Sequence, residues 1–415
     1  MAFIELLGLV NAFFVVCDII SLLVFSCRIL SGYENKNESD YHHYLYRNDD
    51  LKFERIDLPV PQFPASVVRP CDFDHDGFTD LFIGARVKPG MYPYSNHSWL
   101  IHNENGNLVT DSVFRLNLGL VTDAIWTDYD GDGWEDLFVA REWNSLVILK
   151  NVNGKEFVPQ YIPTLESKHG FWYSIVEGDF DMDGDNDYIA GNLGNNHRFP
   201  VSDSYPLILY VIDLEPDGII DPLVTACWPD PQGKMTRYPV NYLDELWSQS
   251  LFFRIKYKDY STFSHAGFDD MINQTMLKRK EFELKVNGTS SYILWNDKGT
   301  FTFEQLPDPV QEAPVTKMIV HDFNGDKWPD VLIGGNDYTY DLSTGYFDAN
   351  KGLVLLNNIN KRKEGGPAFI PLMASESGLA LKGMIESLLI IEGDSSYVIA
   401  GINRDRASVY RLKLK

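Results

Sequence analysis

An all-β fold, a β-propeller of six or seven four-stranded antiparallel blades, is what three features of the sequence predict. An acidic loop recurs five times, each copy runs into a short apolar segment, and the stretches between copies read as further strands joined by Asn- or Gly-bearing turns. Such repeats imply stacked identical units, and four-stranded units arranged radially leave only short, protected edges.

The first loop lies within CDFDHDGFTD, residues 71 to 80, and places Asp72, Asp74, Asp76 and Asp80 around Gly77. Spacing by two turns alternate side chains to one concave side, and the glycine permits the positive φ that closes the turn. Hard carboxylate oxygens in that pattern suit Ca²⁺. The second loop, DYDGDGWED, repeats it with Asp128, Asp130, Asp132, Gly133 and Asp136, and the third, DFDMDGDND, with Asp179, Asp181, Asp183, Gly184 and Asp187. The fourth, DLEPDGIID, offers Asp213, Glu215, Asp217, Gly218 and Asp221, with a longer carboxylate second. The fifth, DFNGDKWPD, offers Asp322, Asn324, Asp326 and Asp330, but Lys327 stands where the glycine belongs, so strain and weaker metal binding are expected there.

An EF-hand would need an acidic ligand at position twelve and a flanking helix. Here position twelve is Ile83, Val139, Ala190, Val224 or Ile333, inside LFIGA, LFVAR, YIAGN, PLVTA and VLIGG. The loops therefore join two β-strands. A plain Asx-rich turn explains one such loop, since Asp and Gly are common turn formers. Five copies in register, each with like charges to neutralise, weigh against that account. The net charge of -23 agrees with cation binding and excludes a phosphate-binding surface, hence nucleic acid. Five bound Ca²⁺ would bring it to -13.

Between loops, SWLIHNENGNLV, SLVILKNVNGKEFV, SYILWNDKGTFTF and GLVLLNNIN each read as strand, turn and often a further strand. Inner strands are expected near 65, 121, 171, 207, 314 and 384, and IIEGDSSYVIAGIN, at 390 to 403, keeps the strands while losing the ligands. YLYRNDDLKFERIDL reads as outer strands that complete the last blade. The interval from 179 to 213 is too short for a blade, and that from 213 to 322 too long. The long one holds an insertion, about 229 to 290, where Phe268, Met271, Ile272 and Met276 fall at helical spacing, predicting a helical cap on the propeller.

The N-terminus divides into an apolar segment, 1 to 30, a linker, 31 to 40, and the propeller, 41 to 415. LLGLVNAFFVVCDIISLLVFS, residues 6 to 26, is long enough for a signal or a membrane-spanning helix, although Glu5 precedes it, Asp18 interrupts it and Arg28 follows. VFSC, ending at Cys27, fits a lipoprotein site, and a mis-assigned start codon fits as well. Export is expected, with the chain at the cell surface or outer membrane. Cys17 lies in this segment; Cys71 and Cys227 lie in the body without zinc-like spacing and read as buried thiols, with a disulfide between them as the alternative. Sequons stand at Asn37, Asn96, Asn273 and Asn287.

These residues resemble the FG-GAP or VCBS repeat, the calcium-binding blade of integrin-α-like propellers. DLFIGAR and DVLIGGN stand where that family has its D-L-x-x-G-A-P-like strand, and the likeness spans nearly all of 65 to 403. GARVKPGMYP, VTDAIWTDYDGDGWEDL, GDFDMDGDNDYIAGNLGNN and GGNDYTYDLSTGYFDANKGLVLL are similar to bacterial surface proteins related to cartilage acidic protein. Longer members of that group carry an ASPIC/UnbV domain, of which no trace is evident here. The resemblance implies an exported module, stabilised by calcium, that binds an extracellular protein or glycan.

A ligand is expected on the face opposite the loops, built from the connections after each second strand: Arg86 and Tyr92, Arg141 and Trp143, Asn192 and Asn196, Asn336 and Tyr338. Aromatics with amides and Arg suit sugar or protein surfaces, while the plainer account has these residues bonding their own loops. A scaffold of a larger surface assembly is the alternative function, and a propeller-type polysaccharide lyase or hydrolase a third. For the enzyme the sequence has no H-E-x-x-H, G-x-S-x-G or P-loop, and His75 and His321, in or beside the loops, read as turn residues. No catalytic residue is assigned.

Overall fold

A computed structural model describes residues 21–26, 41, 43–49, 52–110, 114–339, 345–393 and 395–413. Its strands form seven antiparallel sheets, as the alternation of apolar strands and Asx turns requires. Five sheets follow one another as blades. The first contains Ala65–Cys71, Asp80–Ala85, Ser98–Glu104 and Asn107–Val109, and the second Leu120–Thr127, Asp136–Asn144, Val147–Asn151 and Phe157–Pro159. The third contains Ser174–Gly178, Asp187–Gly191, Tyr292–Asp297 and Thr300–Gln305; the fourth contains Val315–His321, Asp330–Gly335, Leu353–Asn357 and Phe369–Leu372. Ile385–Ile391, Tyr397–Ile402 and Ser408–Arg411 make the fifth, confirming that the stretch without ligands keeps its strands.

The first strand of each blade lies beside the first strand of the next, and the faces between blades form the core. Phe82 and Leu100 of the first blade meet Leu137 and Leu149 of the second, Phe138 meets Tyr188 of the third, Ile189 meets Ile333 of the fourth, and Leu332 meets Val398 of the fifth. The second strands are thus covered on both faces, which is why they are continuous apolar runs rather than alternating ones. Their glycines mark close approach. A Cβ on Gly84 would stand 2.8 Å from Val121 Cγ1, and one on Gly191 2.5 Å from the Val315 carbonyl.

The unequal loop intervals have a structural origin that corrects the expected blade order. The third blade is interrupted after Gly191 and resumes at Tyr292. Between these lies a complete four-stranded sheet, Leu207–Ile212, Asp221–Pro229, Met235–Pro239 and Lys280–Val286, with five short helices between Leu243 and Leu277. The strand near 207 is therefore not an inner strand of the blade series. Residues 229 to 290 include the helices, but also two strands of this inserted sheet. Phe268, Met271, Ile272 and Met276 are buried, packing with Leu214, Leu223 and Leu243 onto the inserted sheet rather than onto a blade.

His43–Asp49 pairs with Ser21–Ser26 on one side and Lys52–Ile56 on the other, a three-stranded sheet of their own, and not with the last blade as expected. Leu45 explains the placement, being fully buried among Val68, Leu81 and Ile83 of the first blade. Only Ser21–Ser26 of the apolar segment lies among the described residues, and it is a strand. The rest of 1 to 30, with Cys17, Cys27 and the 31 to 40 linker, lies outside them. No helix among the described residues is long and apolar enough to cross a membrane. Cys71 and Cys227 are free thiols.

Candidate metal centres

All five loops build the same turn from local hydrogen bonds. The leading aspartate accepts the N–H five residues on: Gly77 to Asp72 at 2.9 Å, Gly133 to Asp128 at 2.8 Å, Gly184 to Asp179 at 3.2 Å, Gly218 to Asp213 at 3.1 Å and Lys327 to Asp322 at 2.8 Å. That fifth residue has positive φ in every copy, and Lys327 adopts it at 74° despite its Cβ. The expected strain in the fifth loop is present, and the turn survives it.

Three loops also gather their carboxylates. One oxygen from each of Asp72, Asp74 and Asp80 lies within 4.8 Å of the others, and the same holds for Asp128, Asp130 and Asp136, and for Asp179, Asp181 and Asp183. The third set fits a cation most directly. Asp181 Oδ1 and Asp185 Oδ1 are buried acceptors with no hydrogen-bond partner, and burial, then the neighbouring aspartates, pushes the Asp181 carboxyl above its ordinary value. A hard cation would satisfy those oxygens and relieve that repulsion. Asp185, outside the D-x-D-x-D pattern, joins this site through position alone.

In the first loop, His102 Nε2 lies 2.8 Å from Asp74 Oδ2, so an imidazole stands beside the carboxylates. In the second, Lys150 Nζ reaches Asp130 and Asp132 at 2.5 and 2.6 Å. Neither residue was evident from loop spacing, because both come from the third strand of the blade.

The fourth and fifth loops do not assemble such a set among the described residues. Glu215 turns away, accepting Ser250 Oγ at 2.6 Å and the Phe252 N–H, so it anchors the helices of the insertion. Asn324 donates to Asp326 at 2.9 Å, which occupies both side chains with each other.

The ninth-position aspartates have a structural role beyond any metal. Asp80, Asp136, Asp187, Asp221 and Asp330 are almost wholly buried. In four blades one carboxylate oxygen accepts the N–H of an asparagine ending the third strand: Asn103 at 2.7 Å, Asn151 at 2.6 Å, Asn296 at 2.9 Å and Asn357 at 2.7 Å. Three of these asparagines reach the loop of the preceding blade through Nδ2: Asn151 to the Phe73 carbonyl at 2.8 Å, Asn296 to Tyr129 at 2.9 Å and Asn357 to Phe180 at 2.8 Å. The first three loops are thereby tied to the next blade. NENG, NVNG and NDKG carry the signal in sequence, but the aspartate-to-asparagine separation differs in every blade. Burial raises the carboxyls of Asp80, Asp136 and Asp187 to about 7, and those of Asp221 and Asp330 to about 6.

At the other ends of the second strands the eight expected ligand residues separate into two groups. Asn192 and Asn336 are buried backbone clamps: Asn192 accepts Phe171 N–H at 3.0 Å, and Asn336 donates to Asn350 and Gly383 carbonyls at 2.8 and 2.9 Å. Arg141 folds onto Ser145, donating to its carbonyl at 2.9 Å, and burial lowers its pKa to about 10. Asn196 donates to Glu312 at 3.2 Å, and Tyr338 packs edge-on against Tyr346 at 5.2 Å.

Tyr92 and Trp143 converge with Phe171, Arg198, Phe199 and Glu142 on a cavity of about 280 Å³. It lies at the seam between the second blade and the inserted sheet. Trp143 Nε1 donates to Tyr92 Oη at 2.5 Å, Tyr92 Oη to Glu142 at 3.3 Å, and Arg86 pairs with Glu142. Of these residues the sequence pointed to Arg86, Tyr92 and Trp143, and not to Glu142, Phe171, Arg198 or Phe199.

Residues 128–190, from the second loop through the strand after the third, match the FG-GAP-like repeat family. No curated protein matches the chain. Among solved structures, BBS1N in complex with ARL6DN, soaked with lead, is 9% identical over 97% of each chain with a TM-score of 0.33. The V. cholerae biofilm matrix protein Bap1 is 10% identical over 94% of this chain and 75% of its own, with a TM-score of 0.35. At that level of likeness neither bears on what this chain does.

Proposed function

We propose that this chain is a calcium-binding, extracellular or cell-surface β-propeller that acts as a protein- or carbohydrate-binding adhesion module, with calcium structural. The observation that carries the reading is the third loop, where three aspartates converge and two buried acceptor oxygens lack a partner, inside a stretch that matches the FG-GAP-like repeat. A relation to bacterial surface proteins of the cartilage acidic protein type belongs to the same proposal and rests on the loop-and-strand motifs. In this reading the metal sites fix one end of the blades, and the cavity holding Tyr92, Glu142 and Trp143 offers an aromatic and polar binding surface at the other.

The test is direct. Bound calcium should raise the melting temperature by several degrees over the metal-stripped chain, since a ligand of the native state stabilises it. Glycan and protein arrays probed in calcium should then yield a ligand that is recovered chemically unchanged. No bound ion and no thermal shift overturns the calcium reading; conversion of a retained glycan overturns the binding reading in favour of an enzyme. Binding that persists when Trp143 and Tyr338 are both replaced displaces the ligand from this face.

A further inference from the structure

We infer that Lys150 takes the place of the metal in the second loop, so that this loop, the fullest match to the calcium pattern alongside the first and third, binds no calcium in the native protein. The inference rests on the calcium reading above and decides between loops that the sequence treats as equals.

In four blades the residue just before the third-strand asparagine falls, by register, across from the ninth-position aspartate of that blade's own loop. It is His102 in the first blade, Lys150 in the second, Trp295 in the third and Leu356 in the fourth. Lys150 Nζ lies 2.6 Å from Asp130 Oδ1, 2.5 Å from Asp130 Oδ2 and 2.6 Å from Asp132 Oδ2. Calcium would need those same oxygens at about 2.3 to 2.6 Å, so the ammonium and the ion claim one position. Two further features hold the amine there. Its side chain is only 18% exposed, and Nζ stands 5.4 Å from the Tyr129 ring, a cation–π distance that fixes its approach.

The third loop shows the opposite arrangement. Trp295, at the equivalent position, directs its Nε1 to Glu304 at 2.9 Å, and Arg362 stacks on its ring at 4.1 Å, near enough with Lys363 to act on Asp181 through space but not paired with it. Among the described residues no ion pair reaches Asp179, Asp181, Asp183 or Asp187, and Asp181 Oδ1 is left without a donor. Asp136 Oδ2 of the second loop also lacks a donor, but there the amine already sits on Asp130 and Asp132, so one strand position selects between a loop neutralised from within and a loop left for a divalent ion.

The experiment counts ions on the full chain by native mass spectrometry and calcium equilibrium dialysis, with folding checked by circular dichroism. Four proteins are compared: wild type, Lys150→Met, Asp130→Asn, and the double variant Asp181→Asn with Asp183→Asn. The expected result is one ion gained in Lys150→Met, none lost in Asp130→Asn, and one lost in the double variant. An ion lost in Asp130→Asn overturns the inference, as does a folded Lys150→Met that gains none. Should Lys150→Met fail to fold, Asp130→Asn alone decides. A double variant that loses no ion counts instead against calcium in the third loop, a separate failure, because a gain in Lys150→Met would still support the role of the lysine.

Discussion

Replacing Asn151 with alanine separates a clamp between blades from an ordinary turn residue. Asn151 is almost wholly buried, and its side chain makes three hydrogen bonds: Nδ2 to the Phe73 carbonyl at 2.8 Å and to Glu135 at 3.1 Å, and Oδ1 from Gly154 N–H at 2.8 Å. Each is worth about 1 kcal/mol net, and stranding the buried Phe73 carbonyl adds about 1 kcal/mol, so Asn151→Ala should cost about 4 kcal/mol. Asn103 is the internal control. It holds the same place in the first blade, but its Nδ2 reaches only Thr79 of its own blade at 3.0 Å, and it is half-buried. Asn103→Ala should therefore cost about 1 to 2 kcal/mol. Urea unfolding followed by tryptophan fluorescence reads both. Equal costs, or an Asn151→Ala loss below about 0.5 kcal/mol, would refute the claim that this residue couples blades rather than merely closing its own hairpin.

Two further outcomes are expected. Burial raises Asp80, Asp136 and Asp187 to about 7 and Asp221 and Asp330 to about 6, above the 3.8 of an unfolded aspartate, so the folded chain holds protons that the unfolded chain has released. Their contribution is fully present below about pH 4 and is lost as pH rises through 6 to 7, against the smaller opposing pull of His169 and His197, which burial lowers. Metal-stripped protein should accordingly melt at lower temperature at pH 8 than at pH 5, and a melting temperature that climbs across that window would contradict the assignment. Lys327→Gly should stabilise the chain by about 0.5 to 1 kcal/mol in urea titrations, because it removes a left-handed non-glycine residue at φ 74° where four sister loops carry glycine. A loss of stability would mean that the lysine makes a compensating contact.

The local chemistry of the chain was legible because it acts within a few residues. An aspartate that accepts the N–H five positions on, and a residue with positive φ at that fifth position, are properties of the nine-residue loop itself, and all five copies adopt them. The apolar runs after the loops were legible for the same kind of reason: a strand covered on both faces is apolar along its length, save for the aspartate that leads it out of the loop. Even the misfit intervals were visible as misfits.

What the loops do with their carboxylates was decided by residues distant in sequence. Whether Asp130 faces an amine depends on Lys150, and whether Glu215 faces a metal or a helix depends on Ser250 and Phe252. The clamp from Asp187 to Asn296 bridges an entire inserted sheet, so no fixed spacing could announce it. Sequence by itself determined the repeated turn and strand, since backbone torsion and short-range hydrogen bonding specify them. Tertiary structure alone decided which loops gather oxygens, which are filled from within and where the inserted sheet sits, because those outcomes turn on which blade lies beside which.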